Sequence, residues 1–221
     1  MKEMFDLEQS IAGDYISSFG YVWQALERLS DFICKVGESL SKEEYYSPSE
    51  NVWISKTALI SEACKINGPC IICAEAEIRH GAFIRGKTII GRGSVVGNSC
   101  EIKNSLLFNM CQVPHFNYVG DSILGYRSHL GAGSVTSNLK CDGSEVVVRT
   151  DNIKYYTGLR KLGALIGDGV QIGCNVTLNP GTVIGRNSIV YPNISLRGCI
   201  PDNTICKGDD NWVKRWGKYD G

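Results

Sequence analysis

An aliphatic side chain recurs every six residues through most of the chain. The series runs through Ile54, Ile60, Ile66, Ile72, Ile78, Ile84, Ile90, Val96 and Ile102, and it returns at Ile166, Ile172, Leu178, Ile184, Val190 and Leu196. Neither the 3.6-residue period of an α-helix nor the two-residue period of a strand produces this spacing. The residue two positions earlier is mostly small, as at Ala58, Cys64 and Ala76. The pattern therefore predicts short strands separated by tight corners, with the aliphatic side chains stacked inside.

Units that repeat in this way bury their apolar surface only against their neighbours, which is the principle of a solenoid. The repeat resembles that of left-handed parallel β-helices, in which three hexapeptides make one triangular coil. The resemblance implies an all-β solenoid over residues 49–207, preceded by an N-terminal helical segment at 1–48 and followed by a tail at 208–221. The left hand is taken from the family, against the usual right-handed crossover of parallel strands.

The first 48 residues lack the six-residue period and show a helical one instead. The stretch YVWQALERLSDFICKVG places Val22, Leu26, Leu29 and Ile33 on one helical face, and Gly37 follows as an expected C-terminal stop. One or two helices are expected to pack on the first coil and shield the open end of the stack.

The composition narrows the class of protein further. Twenty-three basic residues balance twenty-three acidic ones, so neither nucleic acid nor an anionic membrane is an expected partner. No apolar run approaches the ~20 residues of a membrane span, and the first ten residues do not resemble a signal peptide. The ten cysteines then indicate reduced thiols in the cytoplasm. Cys70 and Cys73 form a CxxC, but Cys70 occupies the small position of the repeat, which favours a structural role.

The register slips between Ile102 and Ile166. Val119, Leu124 and Leu130 keep the spacing with an offset of one residue, and residues 139–161 leave it altogether as an extruded loop. Loops that emerge from a rigid scaffold are common places for binding residues. Function is therefore expected at the break in the repeat.

The segment VPHFNYVGDSILGYRSHLGAGSVTSNLK, residues 113–140, resembles the acetyltransferase core of bifunctional sugar-1-phosphate nucleotidyltransferase/acetyltransferases, the archaeal members above all. That family has a His-x-x-Tyr-x-Gly-Asp segment followed by Gly-Ala-Gly and Thr-x-Asn. The matching residues are His115, Tyr118, Gly120, Asp121, Gly131, Ala132, Gly133, Thr136 and Asn138. The resemblance extends over about residues 50–207.

The resemblance implies an enzyme that transfers acetyl from acetyl-CoA to the amine of an amino-sugar 1-phosphate, with no metal. His115 would be the general base, since a near-neutral pKa suits removal of the amine proton. Arg85 and Lys103 would hold the sugar phosphate, and Tyr118 and Asn138 would hold the sugar.

The acetyl donor would lie on the other side of the base. A backbone N–H near Ala132 would meet the developing oxyanion, and Lys207 would meet a CoA phosphate. The family also implies a homotrimer with active sites between subunits. The nucleotidyltransferase half is absent from this sequence, so that activity is expected to be absent and a separate nucleotidyltransferase chain is a possible partner.

Three positions depart from the family pattern. His129 stands where a substrate-contacting asparagine is usual, and Leu139 replaces a tyrosine of the bacterial enzymes. A substrate lysine that follows the asparagine falls on Ser144 by a forward count. Alignment backward from Ile166 places it at Lys161 instead.

Two other classes of protein remain open. One is a non-catalytic β-helix that acts as a scaffold or regulatory subunit of a sugar nucleotidyltransferase. The other is a zinc enzyme of the β-helix carbonic anhydrase type, for which His80, His115 and His129 supply the required number of histidines.

Overall fold

The computed structural model describes residues 2–150, 153–208 and 211–215. They form a left-handed parallel β-solenoid of about eight turns, which confirms the predicted fold class. Strands are numbered in chain order, and each side of the triangular coil is one sheet.

Sheet 1 contains β1 (Tyr45–Tyr46), β2 (Val52–Ser55), β5 (Cys70–Ile72), β8 (Thr88–Ile90), β11 (Ser105–Leu107), β14 (Ile123–Leu124), β19 (Ala164–Ile166), β22 (Thr182–Ile184) and β25 (Cys199–Ile200). Sheet 2 contains β3 (Leu59–Ile60), β6 (Glu77–Ile78), β9 (Val95–Asn98), β12 (Gln112–His115), β15 (His129–Leu130), β20 (Gln171–Ile172), β23 (Ile189–Val190), β26 (Thr204–Cys206) and β27 (Trp212–Lys214). Sheet 3 contains β4 (Lys65–Ile66), β7 (Phe83–Ile84), β10 (Glu101–Lys103), β13 (Tyr118–Gly120), β16 (Val135–Thr136), β21 (Thr177–Leu178) and β24 (Ser195–Leu196). Neighbouring strands are parallel, except that β1 and β27 pair antiparallel at the ends of their sheets.

The six-residue ladder forms the core. Four of its members, as examples, are almost completely buried: Ile72, Ile78, Ile84 and Ile90. Each stacks on the equivalent aliphatic residue of the next coil, as Ile72 does on Ile90 and Ile78 on Val96. Burial of such a side chain stabilises the fold by roughly 1.5–3 kcal/mol. Cys70 and Cys73 lie in the same core, where burial raises the pKa of both thiols to about 12. Both are therefore protonated at neutral pH.

The loop at 139–161 is folded. Its strands β17 (Val147–Arg149) and β18 (Lys154–Tyr156) form an antiparallel hairpin, with Val146 and Val148 fully buried. Leu139 and Lys161 pair at its base, which closes the insertion where it leaves the coil.

The N-terminal segment contains helices α1 (Gly13–Ser17) and α2 (Leu29–Ser39), with 3₁₀ turns at Lys2–Met4, Leu7–Gln9 and Val22–Leu26. None of the helices in the described part of the chain is long and apolar enough to cross a membrane.

This segment lies lengthwise against the side of the solenoid formed by sheet 1. The Met4 carbonyl accepts a hydrogen bond from the Asp168 amide at 3.0 Å, while α2 packs on β5 and β8 near the other end of the stack. The expectation that it shields the open end is therefore corrected, because Ile60 and Ile66, the inward ladder residues of the first coil, are only partly buried. Packing against sheet 1 offers the helices far more apolar surface than one coil end would.

Gly37 also differs from its expected role as a helix stop. It lies inside α2, which ends at Ser39, and a Cβ at this position would come within 2.3 Å of the Trp53 ring. The glycine is needed for close approach of the helix to β2.

Candidate functional site

The breaks in the repeat coincide at one corner of the triangle, where sheet 3 turns into sheet 1. Ile84 and Ile90 keep the six-residue spacing there, but Ile102 and Leu107 stand five positions apart, as do Val119 and Leu124. The next coil carries the insertion at the same corner. The predicted one-residue offset is confirmed for Val119, but Leu124 and Leu130 are offset by two residues, because the second short corner removes another residue.

Asp121 lies in the second shortened corner and is the centre of a hydrogen-bonded cluster. Its carboxylate is only 4% exposed and accepts hydrogen bonds from Lys103 Nζ at 3.2 Å, Asn104 Nδ2 at 2.7 Å and Asn138 Nδ2. Asn104 and Asp121 adopt left-handed backbone, with φ of 45° and 50°. A buried carboxylate is tolerated when its oxygens are paired in this way. Asp121 therefore holds Lys103 and Asn138 in place.

Two further predicted residues adjoin this cluster on sheet 3. The Tyr118 hydroxyl accepts a hydrogen bond from Asn138 Nδ2 at 3.2 Å. Arg85 Nη1 lies 2.6 Å from Glu101 Oε1, and Glu101 is the register neighbour of Tyr118. The hydrogen bond and the charge of Glu101 raise the pKa of Arg85. Successive coils therefore bring four of the predicted site residues together: Arg85, Lys103, Tyr118 and Asn138.

Two cavities open on either side of this corner. A cavity of about 230 Å³ has Arg85 and Lys103 in its lining, and one of about 520 Å³ has Lys161. Both are bounded by Lys87, Asn104 and Asp121. Asn104 Oδ1 is buried there and has no hydrogen-bond partner among the described residues.

His115 lies at the opposite end of β13, where sheet 2 turns into sheet 3. Its side chain is exposed, whereas its backbone is held on both sides. The amide donates to Asn117 Oδ1 and the carbonyl accepts from the Gly133 amide, both at 3.1 Å. Asn117 is buried and donates through Nδ2 to the Gly131 carbonyl at 2.7 Å. The His115 corner is thereby bound to the Gly-Ala-Gly segment of the next coil.

His129 is half-buried on that next coil, beside Gln112. Burial lowers the pKa of His129, and the nearby imidazole of His115 lowers it further. His129 is therefore a neutral group at physiological pH, able to donate and accept a hydrogen bond at once. The carbonyl of Ala132 accepts a hydrogen bond from the Asn175 amide at 2.8 Å.

His80 and Lys207 lie outside these groups. His80 occupies the same rung position as His115 two coils earlier, and within the described ranges no three histidine, cysteine or carboxylate side chains are grouped to hold a metal. Lys207 follows β26, four strands from β12 in sheet 2, which corresponds to roughly 19 Å. The structure therefore does not assemble the three histidines, and it does not bring Lys207 to His115.

Sequence reasoning missed several members of the site. The Gly-Asp segment included Asp121, but only the structure reveals it as the centre of the cluster. Asn104 and Lys87 carried no motif, although the five-residue spacing at Asn104 was a signal of an unusual corner. Arg160 joins them only because the insertion folds back, so no local pattern could have identified it.

Two family profiles match the chain. One is described as "GMPPB C-terminal domain" and matches residues 66–154, and the other, "Bacterial transferase hexapeptide (six repeats)", matches residues 163–193.

Individual proteins match the chain over longer stretches than these family profiles. The chain is 37% identical to the "Bifunctional protein GlmU" of Methanococcus maripaludis over 193 residues, which is 86% of this chain and 46% of that protein. It thus spans about half the length of such bifunctional relatives. It is 33% identical to the "Uncharacterized acetyltransferase YaiX" of Escherichia coli over 173 residues, 70% of this chain and 74% of that protein. Together with the solenoid and its hexapeptide register, this similarity shows that the chain belongs to the family of hexapeptide-repeat acetyltransferases.

Proposed function

We propose that this chain transfers an acetyl group from acetyl-CoA to the amine of an amino-sugar 1-phosphate. The single observation that carries the proposal is the cluster around Asp121. It gathers the candidate phosphate and sugar ligands Lys103, Tyr118 and Asn138 beside Arg85, on the coil that also contains His115. The names of the relatives, which include sugar-1-phosphate nucleotidylyltransferase/acetyltransferase, support a sugar substrate.

His115 is the general base in this proposal. Its exposed imidazole can reach a bound amine, because its backbone is held by Asn117 and Gly133 while its side chain points away from the core. The amine nitrogen attacks the thioester carbonyl as His115 takes its proton. The tetrahedral intermediate then collapses, the carbon–sulfur bond breaks, and the same proton passes to the leaving thiolate of CoA.

The phosphate is held at the other end of β13. Arg85 offers a planar guanidinium that can bind two phosphate oxygens, and Lys103 contributes a point charge. Both are already oriented by carboxylates, Glu101 and Asp121, so little side-chain freedom is lost when a phosphate arrives. Tyr118 and Asn138 lie between the phosphate and the base, where sugar hydroxyls would be expected.

The remaining predicted residues complete the site. Neutral His129 would hydrogen-bond the substrate beside His115, and Lys161 would reach the phosphate from the larger cavity. The amide near Ala132 would stabilise the oxyanion that forms on the acetyl group. Lys207 lies further along sheet 2, in the direction that an extended CoA molecule could follow.

The assembly is also a proposal. Phe116, directly after His115, is 64% exposed, and the active-site side of the corner is open in a single chain. A homotrimer in the cytoplasm would cover this face and would place a second copy beside the acetyl-CoA. A nucleotidyltransferase chain is a further proposed partner of this assembly.

The proposal is tested by following thiol release from acetyl-CoA with a panel of amino-sugar 1-phosphates. We expect turnover with at least one member and none with the corresponding N-acetylated sugar. Binding of the ligands without thiol release would instead identify the chain as a scaffold or regulatory subunit.

A further inference from the structure

The larger cavity at the corner of sheets 3 and 1 has a size and chemistry that a sugar monophosphate does not use. Its volume of about 520 Å³ falls in the range of sites for complete small-molecule ligands. Three cationic residues, Lys87, Arg160 and Lys161, contribute to its lining. A single phosphate held by Arg85, Lys103 and Lys161 would leave Lys87 and Arg160 without a phosphate to bind.

Part of the wall of this cavity is apolar. Leu26 from the N-terminal segment and Leu139 and Leu159 from the insertion supply it. Leu139 is 43% exposed. An apolar wall in the same cavity as several cations suits a ligand that joins a flat ring to phosphates, because the ring buries apolar surface while the phosphates meet the charges.

The two cavities are continuous in their lining. Lys87, Asn104 and Asp121 border both, so a ligand anchored by Arg85 and Lys103 can extend past Lys87 into the larger space. The lining of the larger cavity contains two carboxylates, Glu27 and Asp121. Asp121 is already engaged by Lys103, Asn104 and Asn138, so Glu27 alone is left to balance three cations. Cationic character therefore dominates the passage between the cavities, which favours a second phosphate there.

From these observations we infer that the acceptor is an amino sugar linked to a nucleoside diphosphate. Its first phosphate is bound by Arg85, Lys103 and Lys161, and its second by Lys87 and Arg160. Its nucleoside is bound by the wall of Leu26, Leu139 and Leu159. The inference rests on the proposed acetyl transfer and specifies the substrate class of that site.

The test compares one amino sugar in two forms with the full-length protein. The sugar that gives thiol release in the panel is supplied as its 1-phosphate and as its UDP-, dTDP- and GDP-linked forms. We expect kcat/KM to be at least about tenfold higher for one of the nucleotide forms, which corresponds to a single well-made phosphate contact.

Arg160→Ala is the diagnostic variant, with Lys65→Ala as its matched control. Arg160 donates through Nε to the Gly143 carbonyl at 3.3 Å on the surface, so its removal spares the core, and Lys65 is an exposed cation outside both cavities. Arg160→Ala should lower kcat/KM for the preferred nucleotide form about tenfold more than for the 1-phosphate, and Lys65→Ala should leave the ratio unchanged.

The outcomes separate the two proposals. No thiol release with either form overturns the proposed function. Turnover of the 1-phosphate without a gain from any nucleotide form overturns only the inference. If Arg160→Ala raises the KM for acetyl-CoA instead of the acceptor, the cavity belongs to the adenosine diphosphate of CoA, and the inference is again overturned.

Discussion

Lys103 Nζ lies 3.2 Å from Oδ2 of Asp121, a carboxylate that the fold buries at a corner shortened by one residue. Lys103 stays partly accessible while its partner does not. The buried carboxylate thus fixes the Lys103 ammonium group at the surface of the smaller cavity. Its position depends on the two coils that each lack one residue at this corner.

Asp121→Asn tests this arrangement. An amide has one acceptor oxygen where the carboxylate has two, so one of the donors from Lys103, Asn104 and Asn138 is left without its partner. We expect the free energy of unfolding to fall by roughly 1–3 kcal/mol in urea titrations, together with a higher KM for the acceptor. Asp142→Asn is the control, since that side chain is 66% exposed on the insertion, and a change within about 0.5 kcal/mol is expected there. An Asp121→Asn protein as stable as the control would contradict the role given to Asp121.

Arg85→Ala tests the phosphate contact. Loss of a charge-assisted hydrogen bond of about 1.5–3 kcal/mol should raise the KM for the acceptor about 10- to 100-fold with little change in kcat. Arg79→Ala is a matched control, because Arg79 forms a similar ion pair with Glu77 and its side chain is 41% exposed against 42% for Arg85. Equal KM values for the two variants would exclude Arg85 from the site.

His129 predicts a pH dependence of stability. Burial and the charge of His115 lower its pKa below 6.5 in the folded chain. As the pH falls below 6.5, the unfolded chain takes up a proton that the folded chain resists, so the free energy of unfolding decreases. The stability that neutral His129 contributes is complete above pH 6.5. It is lost as the pH falls through the lowered pKa of the folded chain.

His129→Asn removes that contribution. Urea unfolding measured above and below pH 6.5 should show a smaller loss of stability on acidification than in the wild type. His80→Asn serves as the control, because its side chain is exposed and lies two coils from His115 on the same sheet. An unchanged pH profile in His129→Asn would show that His129 is not shielded from protonation.

Much of the fold could be predicted because the ladder depends on local periodicity. Ile102 and Val119 already showed the one-residue offset, and the structure confirms their register. The second missing residue, before Leu124, was not predicted. The placement of the N-terminal segment was harder to predict. The helical face at Val22, Leu26 and Leu29 indicates that one side of the segment is buried, but not which part of the solenoid covers it. The role of Gly37 could not be predicted for the same reason. A glycine is required there because the helix lies against the Trp53 ring, and the spacing of residues along the chain does not reveal that contact.

The candidate site was predictable where a motif was present. His115, Tyr118 and Asn138 stood in a recognisable segment, and Arg85 and Lys103 followed from counting coils. Lys87 and Arg160 could not be found in this way, because the insertion brings them to the same cavity from distant parts of the chain.

His115 is the proposed base of the acetyl transfer. His115→Ala and His80→Ala are a matched pair of variants. Each removes one imidazole from an equivalent position on sheet 2, and the two positions lie two coils apart. Thiol release from acetyl-CoA should fall in kcat by about 100-fold or more in His115→Ala, the usual contribution of a general base, and should be unchanged in His80→Ala. A His115→Ala protein that keeps the wild-type kcat would exclude His115 as the base.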